Sequence, residues 1–541
     1  LFHERLGGRR VFGVTANLYS LRGEGGLGYG DLGDLRRLQE LVASWGGDFV
    51  ALNPLHALRN RGEDISPYSP VSRLWRNLLY LDIEAIPEFA GCARARDLLE
   101  SPQAAESVRE LRAAERLDQE AVLELKLKLL RELHRSFAGR ERSSGSERGR
   151  AYAQFLDDGS TALVDFATFE TLATLRKEGP DWRLWPESLR DPRGAAVLAF
   201  RREHSEAVDL HCWIQFELER QLEEAARAGR DAGLALGLIG DLAVGTPAHS
   251  ADAWANKHLF ARGVSLGAPP DAFSTEGQNW GLAPLDPNRL AEDGFSFWTR
   301  LVRASLRHAG GLRIDHAIGL QRSFWIPDGR PGSEGAYVLQ PTEELLGILA
   351  LEAQRSAALL IGEDLGVVPV DLGQRLASWG VLSTRVLLFE RDGPTFRAPR
   401  TYSPRAFVSA TTHDLVPLAG YVDGSDLSLR GPLEGQDEAA LEHSLAGRRD
   451  DLGHLERALD EAGVPPGEFA ERLHRFLAPC PAALLALCLD DVAGEREPIN
   501  LPGISTARHR SWSRRMTRPL ESFVLDREVV GPRARVIAPG T

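Results

Sequence analysis

Short apolar segments recur along the chain and predict a sheet of buried parallel strands. A strand buried on both faces carries a continuous apolar run, and helix-period segments such as Leu32–Ser44 and Phe297–His308 lie between most of these runs. Eight such segments alternating with helices favour an α/β fold, a closed (β/α)8 TIM barrel, over a sandwich. The predicted strands are Val11–Ala16, Phe49–Leu52, Ala235–Asp241, Gly311–Asp315, Ala358–Glu363, Thr384–Phe389, Ala406–Ala410 and Ala483–Leu489.

Two gaps between the predicted strands are too long for a simple crossover. The first contains helix-period runs at Leu99–Phe137 and His204–Arg227, which predict a mostly helical subdomain inserted after the second strand. The second, residues 243–294, is rich in Gly, Pro, Asn and aromatic residues and predicts a long aromatic substrate loop. The predicted domains are residues 1–89 with strands one and two, residues 90–233 as the helical insert, and residues 234–541 with the remaining strands.

Composition and charge exclude two classes of partner. The 541 residues are 43% hydrophobic and 26% charged, and the formal net charge is -13 with a pI near 5.6. Nucleic acids and anionic membrane surfaces attract basic patches, so neither is expected as a partner. No run of about 18 apolar residues predicts a membrane-spanning helix. Four scattered cysteines without a CxxC pair indicate reduced thiols in a cytoplasmic protein.

Three carboxylates stand where predicted strands end. Asp315, Glu363 and Asp414 each come at or just after the end of an apolar run. A charge in such a place costs desolvation unless it is paired or used for chemistry. Because strand ends on one face of a parallel barrel converge, the three acids predict a catalytic cluster. Paired carboxylates and an oxocarbenium-like transition state are typical of glycosidic bond cleavage.

Arg313 and Asp315 are two residues apart, so their side chains point to the same side of a strand. A neighbouring arginine lowers the pKa of a carboxyl and fixes its orientation, and both effects suit a nucleophile that must stay ionised. The alternative interpretation is a structural Arg–Asp pair at a strand end. Spacing alone leaves both interpretations open.

Glu363 and Asp414 suit the other two roles of such a reaction. The apolar approach to Glu363 raises its pKa, so this carboxyl can hold a proton near neutral pH and act as general acid and base. Adjacent Asp364 is a competing candidate, or else an N-cap of the next helix. Asp414 would hold sugar hydroxyls and supply negative charge, and its alternative role is again a helix cap.

A loop rich in aromatic and amide side chains supplies candidate sugar contacts. Residues 267–281 include Phe273, Gln278 and Trp280. Aromatic faces suit the C–H faces of a pyranose, and amides suit its hydroxyls. Tyr68 adds a further aromatic residue after the second predicted strand. The alternative is a loop that packs on its own aromatic residues.

Eight motifs occur along the chain: Ser66–Tyr68, Ala251–Asn256, Gly267–Phe273, Gly277–Gly281, Leu312–His316, Gly362–Gly366, Thr412–Leu415 and Asn500–Gly503. In these motifs, and over nearly its whole length, the chain resembles the amylomaltase family, the 4-α-glucanotransferases related to the α-amylases. It departs from the family pattern at Val416-Pro417 (usually Pro-Thr), at Ser511-Trp512-Ser513 (Asn-Trp-Arg), at Leu78 (commonly Pro) and at Ala272 (often Tyr). No departure removes a carboxylate, and the departures leave subsite affinity and chain-length preference open.

The resemblance implies a role for each site residue. Asp315 would be the nucleophile, Glu363 the acid/base and Asp414 the third carboxylate that binds and distorts the sugar. Arg313 would support Asp315. The other residues expected to bind substrate are Tyr68, Phe273, Gln278, Trp280, His316, Asp364 and His413.

The resemblance also implies the reaction. The family transfers a segment of an α-1,4-glucan to the 4-hydroxyl of glucose or another maltooligosaccharide, through a retaining double displacement and a covalent glucosyl-enzyme. It needs no cofactor and no metal. Longer relatives carry N-terminal domains before the barrel, so we expect that an upstream segment is missing from this chain, which begins without Met.

The sequence leaves other functions open as alternatives. A retaining α-1,4-glucan hydrolase would use the same acids and differ only in admitting water to the glucosyl ester. A non-catalytic glucan-binding protein would not need three strand-end carboxylates, and a bifunctional debranching protein would need more than one barrel. The expected partners are small and polymeric α-1,4-glucans, and the expected assembly is a monomer or weak homodimer.

Overall fold

The barrel is closed by eight parallel strands. In a computed structural model that describes residues 6–270 and 276–525, the barrel order is β1-β17-β16-β13-β12-β9-β5-β2. The strands are β1 Val11–Ala16, β2 Phe49–Leu52, β3 His56–Ala57, β4 Ser72–Arg76, β5 Gly237–Leu242, β6 Thr246–Pro247, β7 Val264–Ala268, β8 Gln278–Ala283, β9 Gly311–Ile314, β10 Arg322–Pro327, β11 Ala336–Leu339, β12 Leu359–Gly362, β13 Val381–Val386, β14 Arg391–Asp392, β15 Thr395–Phe396, β16 Ala406–Ser409 and β17 Leu484–Cys488.

The predicted (β/α)8 barrel is confirmed, and each predicted strand segment contains or overlaps one barrel strand. The sixth predicted strand corresponds to β13, which begins earlier than predicted, at Val381. It also ends earlier, because the apolar run Leu387–Phe389 forms a 3-10 turn. The α-helices are Leu32–Ser44, Ala93–Glu100, Pro102–Ala113, Gln119–Phe137, Glu147–Leu175, Ala195–Glu203, Ser205–Asp231, Ala251–Ala255, Pro287–Glu292, Ser296–Leu306, Thr342–Arg355, Leu372–Ser378, Leu418–Asp423, Ser425–Glu434, Glu438–Glu461, Phe469–Leu477, Leu489–Ala493 and Ser522–Leu525.

The barrel interior is an apolar layer below a charged one. Phe49, Ile239, Ile361 and Leu484 belong to one buried cluster of strand residues. The intervening strand residues pack outward against helices in separate clusters. Because side chains alternate along a strand, Asp241 lies on the same side of β5 as Ile239, two residues further on. The interior therefore changes from apolar to charged towards the C-terminal ends of the strands.

Helices fill most of the chain between β4 and β5. Glu147–Leu175 and Ser205–Asp231 pack against each other, and Ser205–Asp231 also packs against the barrel helix Leu32–Ser44. The Gln39 amide on that barrel helix donates to the Ala225 carbonyl across this contact, at 2.9 Å. The region predicted as a mostly helical insert is thus helical. Its division from the barrel as a separate domain stays a prediction.

The region predicted as a long loop contains part of an antiparallel sheet. This five-stranded sheet has the order β11-β10-β7-β8-β6. Some of its strands precede β9 in the sequence and others follow it. For example, β7 precedes β9 and pairs directly with β10, which follows β9. Short strands with distant partners leave little periodicity in the sequence, which explains the loop prediction. No helix within residues 6–270 or 276–525 is long and apolar enough to cross a membrane.

Candidate active site

Asp315 and Glu363 follow neighbouring strands of the barrel. They come directly after β9 and β12, which pair in register with Ile314 opposite Gly362. Glu363 is held by two backbone donors: His316 N–H donates to its Oε2 at 3.0 Å, and Leu365 N–H donates to its Oε1 at 2.7 Å. His316 has a left-handed backbone with φ 47°, which is uncommon for a residue with a side chain. This turn aims one of the two donors at Glu363.

A single guanidinium joins two carboxylates beside Glu363. Arg313 donates to Asp315 Oδ1 at 3.0 Å and to both carboxylate oxygens of Asp241 at 2.8 Å. Burial opposes the charge on Arg313, yet Asp241 and Asp315 outweigh burial and raise its pKa well above the usual value. Arg313 therefore stays charged and orients Asp315, as the spacing of the two residues predicts.

The pKa of Asp315 is raised although Arg313 lies beside it. Burial raises the pKa of Asp315 to about 7, and Asp241 and Glu363 add to this shift, although Arg313 lowers it. Arg313 lowers the pKa of this carboxyl, as its spacing predicts, but the effect of burial is larger and the net shift is upwards.

Glu363 has the raised pKa that its apolar approach predicts. Burial is the largest cause, and Asp414 adds to the shift. Arg313 and the two backbone N–H donors oppose it without reversing it. A carboxyl with a raised pKa keeps its proton at higher pH, which is the property that a general acid requires.

Asp414 lies on the segment that follows β16 and is surrounded by donors. His413 Nε2 lies 3.3 Å from Asp414 Oδ2, and the Asn500 amide donates to Asp414 Oδ1 at 2.7 Å. The Asp414 side chain is half exposed, and the protein around it would by itself raise its pKa. The His413 imidazole and the Asn500 amide outweigh it and lower that pKa to about 2. Asp414 is therefore ionised at any physiological pH.

Three rings form a wall beside these acids. The Tyr68 and His413 rings stack at 4.7 Å, and the Trp512 ring lies 5.4 Å from Tyr68 and 5.8 Å from His413. The Tyr68 hydroxyl donates to Asp241 Oδ2 at 2.7 Å. We call Tyr68, His413 and Trp512 the aromatic wall. The Tyr68 contact links this wall to Asp241, one of the two carboxylates that Arg313 binds.

The helical insert holds the Trp512 turn in place. Trp512 has a left-handed backbone with φ 63°, which is costly for a bulky residue and needs support from its surroundings. The buried Gln119 side chain donates to the Trp512 carbonyl at 3.1 Å, and Leu117 N–H donates to the Ser513 carbonyl at 2.7 Å. Residues before β5 therefore shape a turn that lies after β17.

Trp280 contacts both Gln278 and His316, the residue that follows Asp315. The Trp280 ring meets the His316 ring edge-on at 4.9 Å, and the Trp280 indole N–H donates to the Gln278 amide oxygen at 3.2 Å. Burial lowers the pKa of His316 to about 4, so this imidazole is neutral at physiological pH. Phe273, also predicted to bind substrate, lies outside the described residues.

Asp364 is turned towards the next strand. Its Oδ1 accepts from Thr384 N–H at 2.9 Å, and Arg385 lies 3.4 Å away. The side chain is nearly buried, with 4% exposed. These contacts favour Glu363 over Asp364 as the acid that meets substrate, and a binding role for Asp364 stays a prediction.

Three residues of this site were not singled out from the sequence. Asp241 also ends an apolar strand, which is the signal that identified Asp315 and Glu363. Asn500 and Trp512 fall in the C-terminal region that carries the resemblance and its departures, but their contacts with Asp414 and the aromatic wall have no local sequence signal. Only the folded chain brings them to the strand ends.

A parallel barrel with linked carboxylates at the C-terminal ends of its strands has the architecture of a barrel enzyme that acts on glycosidic bonds. Residues 16–521 match the sequence model of one family, described as 4-alpha-glucanotransferase. The chain belongs to this 4-α-glucanotransferase family and is a glycosyl-transferring enzyme.

Individual relatives agree with this assignment. The 4-alpha-glucanotransferase of Mycobacterium tuberculosis H37Rv is 40% identical over 552 residues, covering 97% of this chain and 74% of the relative. The crystal structure of amylomaltase from Corynebacterium glutamicum superposes with a TM-score of 0.87 at 32% identity, covering 100% of this chain and 76% of that one. An amylomaltase from Streptococcus agalactiae, solved in complex with acarbose, shares the fold with a TM-score of 0.78 at 21% identity, covering 97% and 100%.

Proposed function

We propose that Asp315, Glu363 and Asp414 carry out glucan transfer by a retaining double displacement. One observation carries the proposal: Asp315 and Glu363 follow adjacent strands, and Arg313 hydrogen-bonds Asp315, whereas the donors that reach Glu363 within residues 6–270 and 276–525 are two backbone N–H groups. A full positive charge stabilises an anion more than a backbone N–H does. We infer that Glu363 carries the proton and that Asp315 acts as the ionised nucleophile.

In the first half of the reaction, an oxygen of Asp315 attacks the anomeric carbon of an α-1,4-linked glucosyl unit. The bond from that carbon to the leaving 4-oxygen breaks, and the proton on Glu363 passes to this oxygen. Asp414, anionic because its pKa is lowered to about 2, stabilises the positive charge that develops on the sugar. The product is a glucosyl ester on Asp315.

In the second half, the 4-hydroxyl of an acceptor sugar attacks the same carbon. Glu363, now a carboxylate, takes the hydroxyl proton, and the ester bond to Asp315 breaks. Two inversions leave the new bond in the α configuration. No metal or cofactor is needed in this scheme, because the chain's own groups supply the nucleophile, the proton and the negative charge.

The binding residues have matching roles in the proposal. His413 and neutral His316 bond hydroxyls of the sugar at the cleaved bond, and the aromatic wall and Trp280 contact pyranose faces. The acarbose complex of the Streptococcus agalactiae amylomaltase supports an oligosaccharide site on this fold. Gln278 lines a neighbouring subsite, and Asp364 acts on substrate binding through Arg385. Phe273 stays a substrate-binding residue predicted from the sequence.

Incubation with maltotriose tests the proposed transfer. We expect glucose together with a ladder of longer maltooligosaccharides, separated by chromatography, and no product from Asp315→Ala of intact fold. Maltose and glucose alone would instead identify a hydrolase built on the same acids. Tight maltooligosaccharide binding without any product would identify a non-catalytic binding protein.

We also propose that the protein acts in the cytoplasm as a monomer or weak homodimer, without nucleic acid or membrane partners. Its acidic net charge of -13 supports the absence of these partners. Three of its four free cysteines are buried, which suits a reducing compartment. Light scattering over a concentration series and cell fractionation test these statements.

A further inference from the structure

A buried carboxylate, Asp491, lies beside the segment that carries Asp414. Asp491 lies in the short helix Leu489–Ala493 that follows β17, and its side chain is buried. Its Oδ2 accepts a hydrogen bond from the Thr411 hydroxyl at 2.6 Å, and its Oδ1 accepts from Leu418 N–H at 2.7 Å. The Asp491 carboxylate, which follows β17, thus contacts two points on the segment that follows β16.

These two contacts bracket the catalytic part of that segment. Thr411 comes just after β16, and Leu418 begins the next helix. His413 and Asp414 lie between them. The interior of the segment is held by Leu415 N–H donating to the Thr412 carbonyl at 3.1 Å and by a 3.3 Å bond from Asp414 N–H to the Thr412 hydroxyl. Asp491 fixes both ends of this turn at once.

The Asp491 carboxyl is held by neutral donors. Among the residues that the structure describes, Asp491 has no arginine or lysine within ion-pair distance, whereas its neighbour Asp490 pairs with Arg514. Burial raises the pKa of Asp491 to about 7, which records the cost of a carboxylate held by neutral donors. An apolar side chain in this place could not hold Thr411 and Leu418, and it would leave these two buried donors without their acceptor.

We propose that Asp491 is a positioning residue that holds the segment Thr411–Leu418 so that His413 and Asp414 meet the sugar at the cleaved bond. The inference rests on the proposed role of Asp414. Asp491 itself does not contact substrate. A shift of about 1 Å in a catalytic group lowers a rate by about 100-fold, so loss of both anchoring bonds has a measurable effect on turnover.

The chemistry of the two bonds supplies a conservative variant. In Asp491→Asn, the amide oxygen still accepts from Leu418 N–H and the amide NH2 donates to the Thr411 hydroxyl oxygen. In Asp491→Ala both bonds are lost. Thr411→Val removes one bond at nearly constant volume, and Thr411→Ser keeps the hydroxyl. The two pairs of variants separate hydrogen bonding from charge and from packing.

The experiment measures kcat and KM for maltotriose disproportionation in these variants, with thermal unfolding as the test of fold. We expect Asp491→Ala to lower kcat about 100-fold while KM changes by less than about threefold, and Asp491→Asn to recover at least about tenfold of that loss. Thr411→Val should lower kcat by about tenfold, and Thr411→Ser should recover most of it. If Asp491→Ala does not fold, the Thr411 pair still decides.

A matched control separates positioning from stability. Asp165 is a buried carboxylate in the helix Glu147–Leu175 of the insert, where it bonds to Arg193 and Arg201. Asp165→Asn should lower the unfolding temperature and leave kcat unchanged. A normal kcat in both Asp491→Ala and Thr411→Val would overturn the inference, and so would an Asp491→Asn variant as slow as Asp491→Ala.

Asp414→Asn distinguishes the two proposals. If this variant transfers glucan normally, the proposed function of Asp414 fails, and the inference about Asp491 fails with it. If Asp414→Asn is inactive while Asp491→Ala and Thr411→Val turn over at the normal rate, the proposed function stands and only the positioning role is lost.

Discussion

Two groups of carboxylates follow barrel strands in this protein, and their surroundings differ. The positive charge of the partly buried Arg313 lowers the pKa of Asp315, Glu363 and Asp414. The acids of the second group, Asp364, Asp490 and Asp491, each have their own neighbours. Asp364 contacts the β13 backbone and Arg385, and Asp490 pairs with Arg514. Asp491 bonds to the two ends of the segment that carries Asp414.

The difference shows that position after a strand does not by itself define a catalytic acid. Both groups have the same sequence pattern, an apolar run that ends in a carboxylate. Both groups have local donors, and what separates them is that Arg313 lowers the pKa of every acid in the first group. We call the first group the shared acids and the second the anchored acids.

The largest expected difference between the groups comes from matched Asp→Asn changes. Asp315→Asn removes the proposed nucleophile and should lower kcat by more than about 10,000-fold. Asp364→Asn removes one anchored acid and should lower kcat by less than about tenfold, while it reduces stability. Maltotriose disproportionation and thermal unfolding measure both. Equal losses of activity would remove the distinction between the groups.

Glu363→Gln should come next in size. Loss of the proton donor is expected to lower turnover of maltotriose by about 100- to 10,000-fold. A glucosyl donor with a fluoride leaving group needs no protonation, so formation of the glucosyl ester from it should be largely spared. Single-turnover measurement with both donors checks this. An equal loss with both would argue against Glu363 as the acid.

Asp241→Asn should move the pH profile of the shared acids. Burial raises the pKa of Asp315, Arg313 lowers it, and Asp241 raises it further. The nucleophile must be deprotonated, so kcat/KM should rise with pH through about 7 in the unchanged protein. Removing the Asp241 charge favours ionised Asp315 and should shift this rise down by roughly one pH unit. An upward shift would contradict this electrostatic account.

Asp491→Asn should change the pH dependence of stability in the anchored group. Burial raises the folded pKa of Asp491 to about 7, with Asp490 and Glu468 adding to the shift. The unfolded pKa is about 3.9, so its proton stabilises the fold fully below about pH 4, and this contribution is lost as pH rises through about 7. The free energy of unfolding should therefore fall less steeply over this range in Asp491→Asn, by about 4 kcal/mol at most. Urea unfolding at several pH values measures the slopes, and identical slopes would refute the assignment.

The barrel was largely predictable because its strands are continuous apolar runs. The sheet that contains β7 and β10 was not, since pairing across β9 leaves no local pattern. Within the site, the Arg313–Asp315 contact followed from spacing alone. The net direction of the pKa shift at Asp315 did not, because it depends on burial in the folded chain, to which Asp241 on a different strand adds. The catalytic roles themselves stay predictions until the variants above are measured.

Barrel closure has a consequence for the growing chain on the ribosome. β1 completes the barrel by pairing with β17, with Val11 opposite Leu484, although the two strands lie near opposite ends of the chain. At a synthesis rate of about 5–20 residues per second, β1 waits on the order of half a minute to a minute and a half for its second neighbour. During that interval one apolar strand edge is open to other chains, so a chaperone that covers β1 should raise the yield of folded enzyme.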